Sequence, residues 1–239
     1  MALPIQNTPV YTLKVPSTKQ EAKYRPFLVK EEKALLVAQQ SEDAVVMLDT
    51  LKEVLKGCLK TPVELDTLAL FDIEYIFSQI RAKSVGENVE IIVRCDKCPE
   101  ENEQARVKLT FDLTKLEVNI PENHSKKIPL FDDVGVMMRY PSLEVVQLID
   151  TLDITDAESI FNIILKCVDY IYDNEEVYYA KDTNETELRN FFENLTAEQF
   201  QSVQSFFETM PKLRKEVSYD CPVCGHHHDK VLEGLSSFF

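Results

Sequence analysis

Two C-x-x-C pairs, Cys95/Cys98 and Cys221/Cys224, stand far apart in this chain. A turn of that spacing lets two thiolates converge on one ion, and two such turns complete the four-ligand shell of tetrahedral zinc at about 2.3 Å per sulfur. Whatever folds between them, residues 99–220, must therefore return the second turn to the first. Loop-closure cost grows only logarithmically with length, which permits so wide a separation. The spacing predicts Cys95, Cys98, Cys221 and Cys224 as ligands of a single Zn²⁺. Four thiolates leave no position for water, so such a metal is structural rather than catalytic.

The local sequence supports the second turn in particular. In Cys221-Pro-Val-Cys-Gly225 the proline stiffens the knuckle and the glycine admits backbone angles that a side chain hinders. The remaining cysteines, Cys58 and Cys167, lie in apolar helical patterns and read as small buried hydrophobes. A thiol oxidoreductase is the competing use of C-x-x-C; it requires an accessible cysteine of low pKa, and neither pair clearly opens a helix in a βαβ unit. His226, His227 and His228 either replace a cysteine ligand, form a second metal site, or are polar residues of the turn. Strand alternation would part His227 from its two neighbours. His124, in Pro-Glu-Asn-His-Ser, is expected at the surface.

Hydrophobic periodicity supplies the rest of the plan. Tyr11–Val15 alternates as a strand, and Ser41-Glu-Asp caps a helix that carries Val45, Leu48, Leu51, Val54, Leu55 and Cys58 and ends at Gly57 and Pro62. A second helix spans about Asp66 to Lys83. Period 2 then takes over: Asn88–Arg94 and Arg106–Leu113 make a hairpin with the first knuckle at its tip, and 128–131 and 134–140 add strands. Helices are expected over 143–152, 156–172, 186–195 and from a capping box at Thr196 to about Met210, with a short strand at 176–179. Lys215–Asp220 and Lys230–Leu232 flank the second knuckle.

The reading is an α+β chain with a mainly helical body and antiparallel hairpins. Its segments are 1–87 (extended entry and helices), 88–140 (first knuckle and β region), 141–211 (helical insertion) and 212–239 (second knuckle and tail). Segments 88–98 and 215–231 together make a zinc-ribbon-like site.

Composition removes several functions. Hydrophobic residues at 44% support a folded core, and the net charge of −15 opposes binding to phosphate backbones. The five glycines are too scattered for either standard nucleotide-binding loop, and neither G-x-S-x-G nor H-E-x-x-H occurs. Acidic clusters at 173–176 and 182–187 read as solvated loops, so no enzymatic activity and no small-molecule substrate are expected. No run approaches the roughly 20 apolar residues of a membrane span, and Met1-Ala-Leu-Pro lacks a signal-peptide pattern; a soluble protein of cytoplasmic origin is expected.

Three stretches carry a family likeness: Val15-Pro-Ser-Thr with Tyr24-Arg-Pro-Phe-Leu-Val-Lys-Glu-Glu-Lys33-Ala-Leu-Leu, the strand entering Cys95-Asp-Lys-Cys98, and Cys221-Pro-Val-Cys-Gly225. Together they resemble the baseplate hub proteins of T4-type contractile-tailed phages, most specifically in the Arg25–Lys33 string. The resemblance implies a structural or assembly protein of the central hub, partnered by other hub and tail proteins. It would reside in the virion's baseplate or in the host cytoplasm during assembly. The competing class is a zinc-ribbon regulator associated with nucleic acid, which the acid excess disfavours. Residues 25–33 are either a partner surface or an amphipathic face with Phe27, Leu28 and Val29 inward; the aromatic end Leu235–Phe239 either docks a partner or packs on the ribbon.

Overall fold

A computed structural model of the chain describes residues 7–41, 43–151 and 157–234. They form two compact units, one from the described residues within 1–65, 71–119 and 212–239, the other from those within 66–70 and 120–211. In chain order the first unit begins with β1 (Tyr11–Lys14), β2 (Glu21–Tyr24), α1 (Val29–Gln40) and α2 (Ala44–Cys58). It continues with α3 (Leu70–Ser84), β3 (Asn88–Arg94), β4 (Arg106–Asp112) and β5 (Glu117–Asn119). The second unit holds β6 (Lys127–Phe131), β7 (Val134–Met138), α4 (Leu143–Thr151), α5 (Ala157–Lys166), β8 (Val168–Tyr172), β9 (Val177–Tyr179), α6 (Glu185–Glu193) and α7 (Ala197–Thr209). The chain then returns to the first unit as β10 (Lys212–Asp220) and β11 (His227–Glu233).

Every strand pairing is antiparallel, in the ribbons β1–β2 and β3–β4 and the sheets β11–β10–β5 and β6–β7–β8–β9. The body is therefore mixed, and the expectation of a mainly helical one is corrected. The clearest local case is residues 168–172, read as the end of a helix over 156–172: α5 stops at Lys166 and Val168-Asp-Tyr-Ile-Tyr172 pairs with β7 instead. Two β-branched and two aromatic residues in five favour a pleated surface, and the available edge of β7 decides the matter. The Asp156 start expected for that helix lies outside the described residues, as do the Leu152 end of the helix before it and the aromatic tail 235–239.

Caps explain two smaller differences. Asp43, not Ser41, begins α2, its carboxylate accepting the N–H groups of Val45 at 2.9 Å and Val46 at 3.2 Å. Ser41 instead closes α1, its hydroxyl donating to the Ala38 carbonyl. Gly57 lies inside α2 rather than ending it.

In the first unit, α3 lays Ala82 against Val89 of β3, Phe111 of β4, Leu213 of β10, and Leu113 and Leu116. That shared cluster holds the β3–β4 ribbon and the β10–β11 hairpin together. In the second, Val136, Met138, Val168 and Ile171 of the sheet pack with Ile164, Leu188, Phe192, Val203 and Phe206 of α5, α6 and α7. Cys58 and Cys167 are fully buried, and burial pushes their thiols up to about 11 and about 12. His124 is half-buried rather than fully exposed. Its Nδ1 lies 3.0 Å from the Thr209 hydroxyl, its Nε2 3.0 Å from that of Tyr140, and its ring stacks on Tyr140.

The Arg25–Lys33 string turns two of its five charges inward. Leu28 and Val29 are exposed, Val29 at 80%, whereas Arg25 and Glu31 are buried. Arg25 Nη2 meets Glu31 Oε1 at 2.8 Å, and Glu31 Oε2 accepts the Leu28 N–H at 2.8 Å, tying the start of α1 to the strand before it. Burial pushes the Glu31 carboxyl up, but the Arg25 guanidinium and the Leu28 N–H outweigh it and hold it below the ordinary value. Its contribution is present above the ordinary glutamate range and is lost as pH falls through the depressed value. Replacing Glu31 by alanine strands the Arg25 charge and is expected to cost about 3–5 kcal/mol, against less than about 0.5 for Val29→Ala at the exposed position. Urea unfolding midpoints check this; equal losses would place the structural weight on Val29 instead.

Candidate metal centre

The two knuckles sit at the tips of the two hairpins. Cys95 follows β3, and its N–H donates to the Ala105 carbonyl at 3.0 Å, closing the mouth of the first ribbon. In the second, Cys221 follows β10, its N–H donating to His226 O at 2.9 Å, while the Gly225 N–H donates to Cys221 O at 2.9 Å. Gly225 has φ +69°, a left-handed conformation costly for a side chain. The expectation for this glycine is met by backbone strain rather than crowding, since a Cβ there would meet open space.

The fold brings all four predicted cysteines together. Cys95 Sγ lies 3.7 Å from Cys224 Sγ and Cys98 Sγ 3.8 Å from Cys221 Sγ, so each close pair joins one knuckle to the other. The four sulfurs lie within 4.8 Å of one another. Sulfurs placed about 2.3 Å from the centre of a tetrahedron stand about 3.8 Å apart, so the donor set fits a zinc ion. A disulfide needs about 2.05 Å, and the cysteines are free thiols. Cys95 and Cys221 are buried, Cys98 is half-buried and Cys224 is exposed.

The thiols differ electrostatically. The backbone N–H of Cys224 and then that of Val223 draw Cys221 down to about 7. Desolvation and the crowding of the other three sulfurs push Cys98 up to about 12. Acidity and accessibility thus do not coincide in one residue: Cys221 is acidic but buried, and the exposed Cys224 is raised. That combination disfavours the oxidoreductase reading.

The three histidines separate as strand alternation requires. His227 faces outward, its Nδ1 2.7 Å from Asp220 Oδ1, and that carboxylate raises its pKa. His228 is buried, with Nε2 3.2 Å from Cys95 Sγ and Nδ1 3.6 Å from Asp96 Oδ1. Cys95, Asp96 and His228 are thus a second grouping of possible donors sharing one sulfur with the first. Sequence alone does not single out His228, because the start of β11 and its pairing of His228 with Tyr219 decide which histidine turns inward.

With this geometry in place the relatives can be read. The T4 bacteriophage base plate protein family matches residues 8–239, and so spans both knuckles and everything between them. The chain belongs to this family. A baseplate hub assembly protein, gp26 of Enterobacteria phage T4, is 25% identical to this base plate family member over 216 residues, covering 90% of each chain. No solved structure matches this family member. Among its described residues no helix is long and apolar enough to cross a membrane.

Proposed function

We propose that the protein serves assembly of the central baseplate hub of a contractile-tailed phage, through contacts with other hub and tail proteins. A structural Zn²⁺ on Cys95, Cys98, Cys221 and Cys224 joins its two knuckles. The observation carrying the hub reading is the family match over residues 8–239, supported by a relative named for hub assembly over 90% of its length. The zinc reading rests on two sulfur spacings, 3.7 and 3.8 Å, that suit a four-thiolate shell, with all four sulfurs within 4.8 Å of one another. When bound, the ion supplies a covalent-strength tie between the hairpin tips and no reaction chemistry. The residues do the rest: β3 and β10 aim the cysteines, and the Ala105 and Cys221 carbonyls accept the N–H groups that hold the turns closed. The role is mechanical, without substrate or catalytic group. A nucleic-acid regulator finds no support in a chain of net charge −15.

In a phage deleted for the gene, heads should form normally while baseplates remain incomplete, as seen by electron microscopy of infected-cell lysates. Normal tails in that mutant would reject the hub assignment. Comparing a pull-down from infected cells with the proteins of purified virions assigns the protein to the finished baseplate or to the assembly stage alone.

A further inference from the structure

We infer that His228 is the N–H donor that holds the Cys95 thiolate and slows loss of the metal, a positioning residue rather than a fifth candidate ligand. The inference rests on the zinc reading above. A zinc ion with four thiolates carries a net charge of −2, and sulfurs kept from water need protein donors to offset it. The two most buried sulfurs, Cys95 at 1% and Cys221 at 2% exposure, are the ones with most to gain.

Cys221 has its donors in its own knuckle, the N–H groups of Val223 and Cys224. Cys95 is approached from the other hairpin. His228 reaches across from β11 to fill the role, its Nε2 3.2 Å from Cys95 Sγ. That is a hydrogen-bond distance between donor and sulfur, and the four sulfurs, within 4.8 Å of one another, already make a full four-ligand set without the ring.

The ring is held for this task. It stacks on Tyr219 at 4.9 Å between centroids and 16° between planes, and His226 abuts it edge-on at 4.6 Å. Tyr219 in turn donates its hydroxyl proton to Arg94 O at 3.1 Å, at the end of the strand that carries Cys95. The Asp96 carboxylate stands 3.6 Å from the ring's other nitrogen, beyond hydrogen-bond distance, and so does not claim the ring's proton. Donors that hold a metal's ligands in this way change metal affinity by about 10–100-fold when removed.

The test times zinc release from full-length protein to a chromophoric chelator and records the spectrum of the cobalt-substituted protein. His228→Phe keeps a ring against Tyr219 but has no N–H; it should release zinc about 10–100-fold faster while its cobalt spectrum keeps the four-sulfur pattern. His228→Gln, whose amide can donate, should recover most of the retention, a rescue that a purely packing role does not provide. Release from His228→Phe at the wild-type rate would overturn the inference. So would loss of a ligand in its cobalt spectrum, which would make His228 a ligand. Should the variants fail to fold, wild-type protein loaded with an NMR-active cadmium isotope decides: coupling of the His228 Nε2 proton to the metal through sulfur supports the donor, and its absence refutes it. Wild-type protein that binds no zinc or cobalt is the separable result that sinks the metal reading itself and this inference with it.

Discussion

Cys221→Ser is expected to lose the metal and lower the unfolding free energy on the order of 5 kcal/mol. Structural zinc contributes about 10–16 kcal/mol of apparent binding free energy in peptides that cannot fold without it. Here the first unit has its own apolar core of Ala82, Val89, Phe111, Leu113, Leu116 and Leu213, so part of the fold should survive and only part of that free energy is at stake. Serine replaces a soft thiolate with a hydroxyl that scarcely ionises, and at this position it also leaves the N–H groups of Val223 and Cys224 without their anionic acceptor. Native mass spectrometry should find one zinc in the parent and none in the variant. A chelator should reduce the parent's thermal stability toward that of the variant and leave the variant unmoved. Cys58→Ala, a change in the buried surface of α2, should keep one zinc whatever its effect on stability. A parent whose unfolding ignores chelator, and matches Cys221→Ser, would overturn the zinc reading.

Gly135→Ala should be among the most damaging single methyl groups that can be added to the second unit. Gly135 lies in β7 between β6 and β8, opposite Pro129 on one side and Tyr172 on the other. A Cβ there would stand 2.1 Å from the Tyr172 hydroxyl oxygen, 2.4 Å from its Cζ and 2.7 Å from the Ile128 carbonyl oxygen. The tyrosine ring can swing away at the expense of its packing. The carbonyl belongs to the strand and cannot move without opening the sheet. Overpacking of this kind costs about 1–3 kcal/mol, and more where backbone must shift, so a loss of at least about 3 kcal/mol is expected. Tyr172→Phe removes one of the three contacts and should rescue little. Urea unfolding of the single and double variants measures both effects, and a Gly135→Ala protein as stable as the parent would mean that β7 has more room than these distances allow.

Much of the local structure was legible from residue pattern. Alternation placed β3 and β4 and the two knuckles at the hairpin tips, and Thr196 with Gln199 marked the start of α7 by a reciprocal cap. Cys58 and Cys167 followed from their apolar neighbours. The failures share a cause. Residues 168–172 satisfy helical and strand periodicities alike over so short a run, and the open edge of β7 arbitrates. Of the two readings of residues 25–33, the amphipathic face with Phe27, Leu28 and Val29 inward fails at Leu28 and Val29, which are exposed, while Arg25 makes burial of the Glu31 carboxylate favourable. His124 sits in a polar segment, but the Thr209 and Tyr140 hydroxyls supply partners from far along the chain.

By itself the sequence determined the identity of the four sulfurs, their grouping in two tight turns, and the exclusion of nucleotide loops and familiar catalytic motifs. Turn geometry and side-chain chemistry are local properties, set within a few residues of each cysteine. Only the tertiary structure decided that Cys95 meets Cys224 and Cys98 meets Cys221 across residues 99–220, with sulfurs spaced for one ion. It also decided that His228, and neither His226 nor His227, reaches Cys95. These depend on how α3 packs β3, β4 and β10 into one core and on the register of β10 with β11, and such long-range complementarity is written in no single stretch of chain.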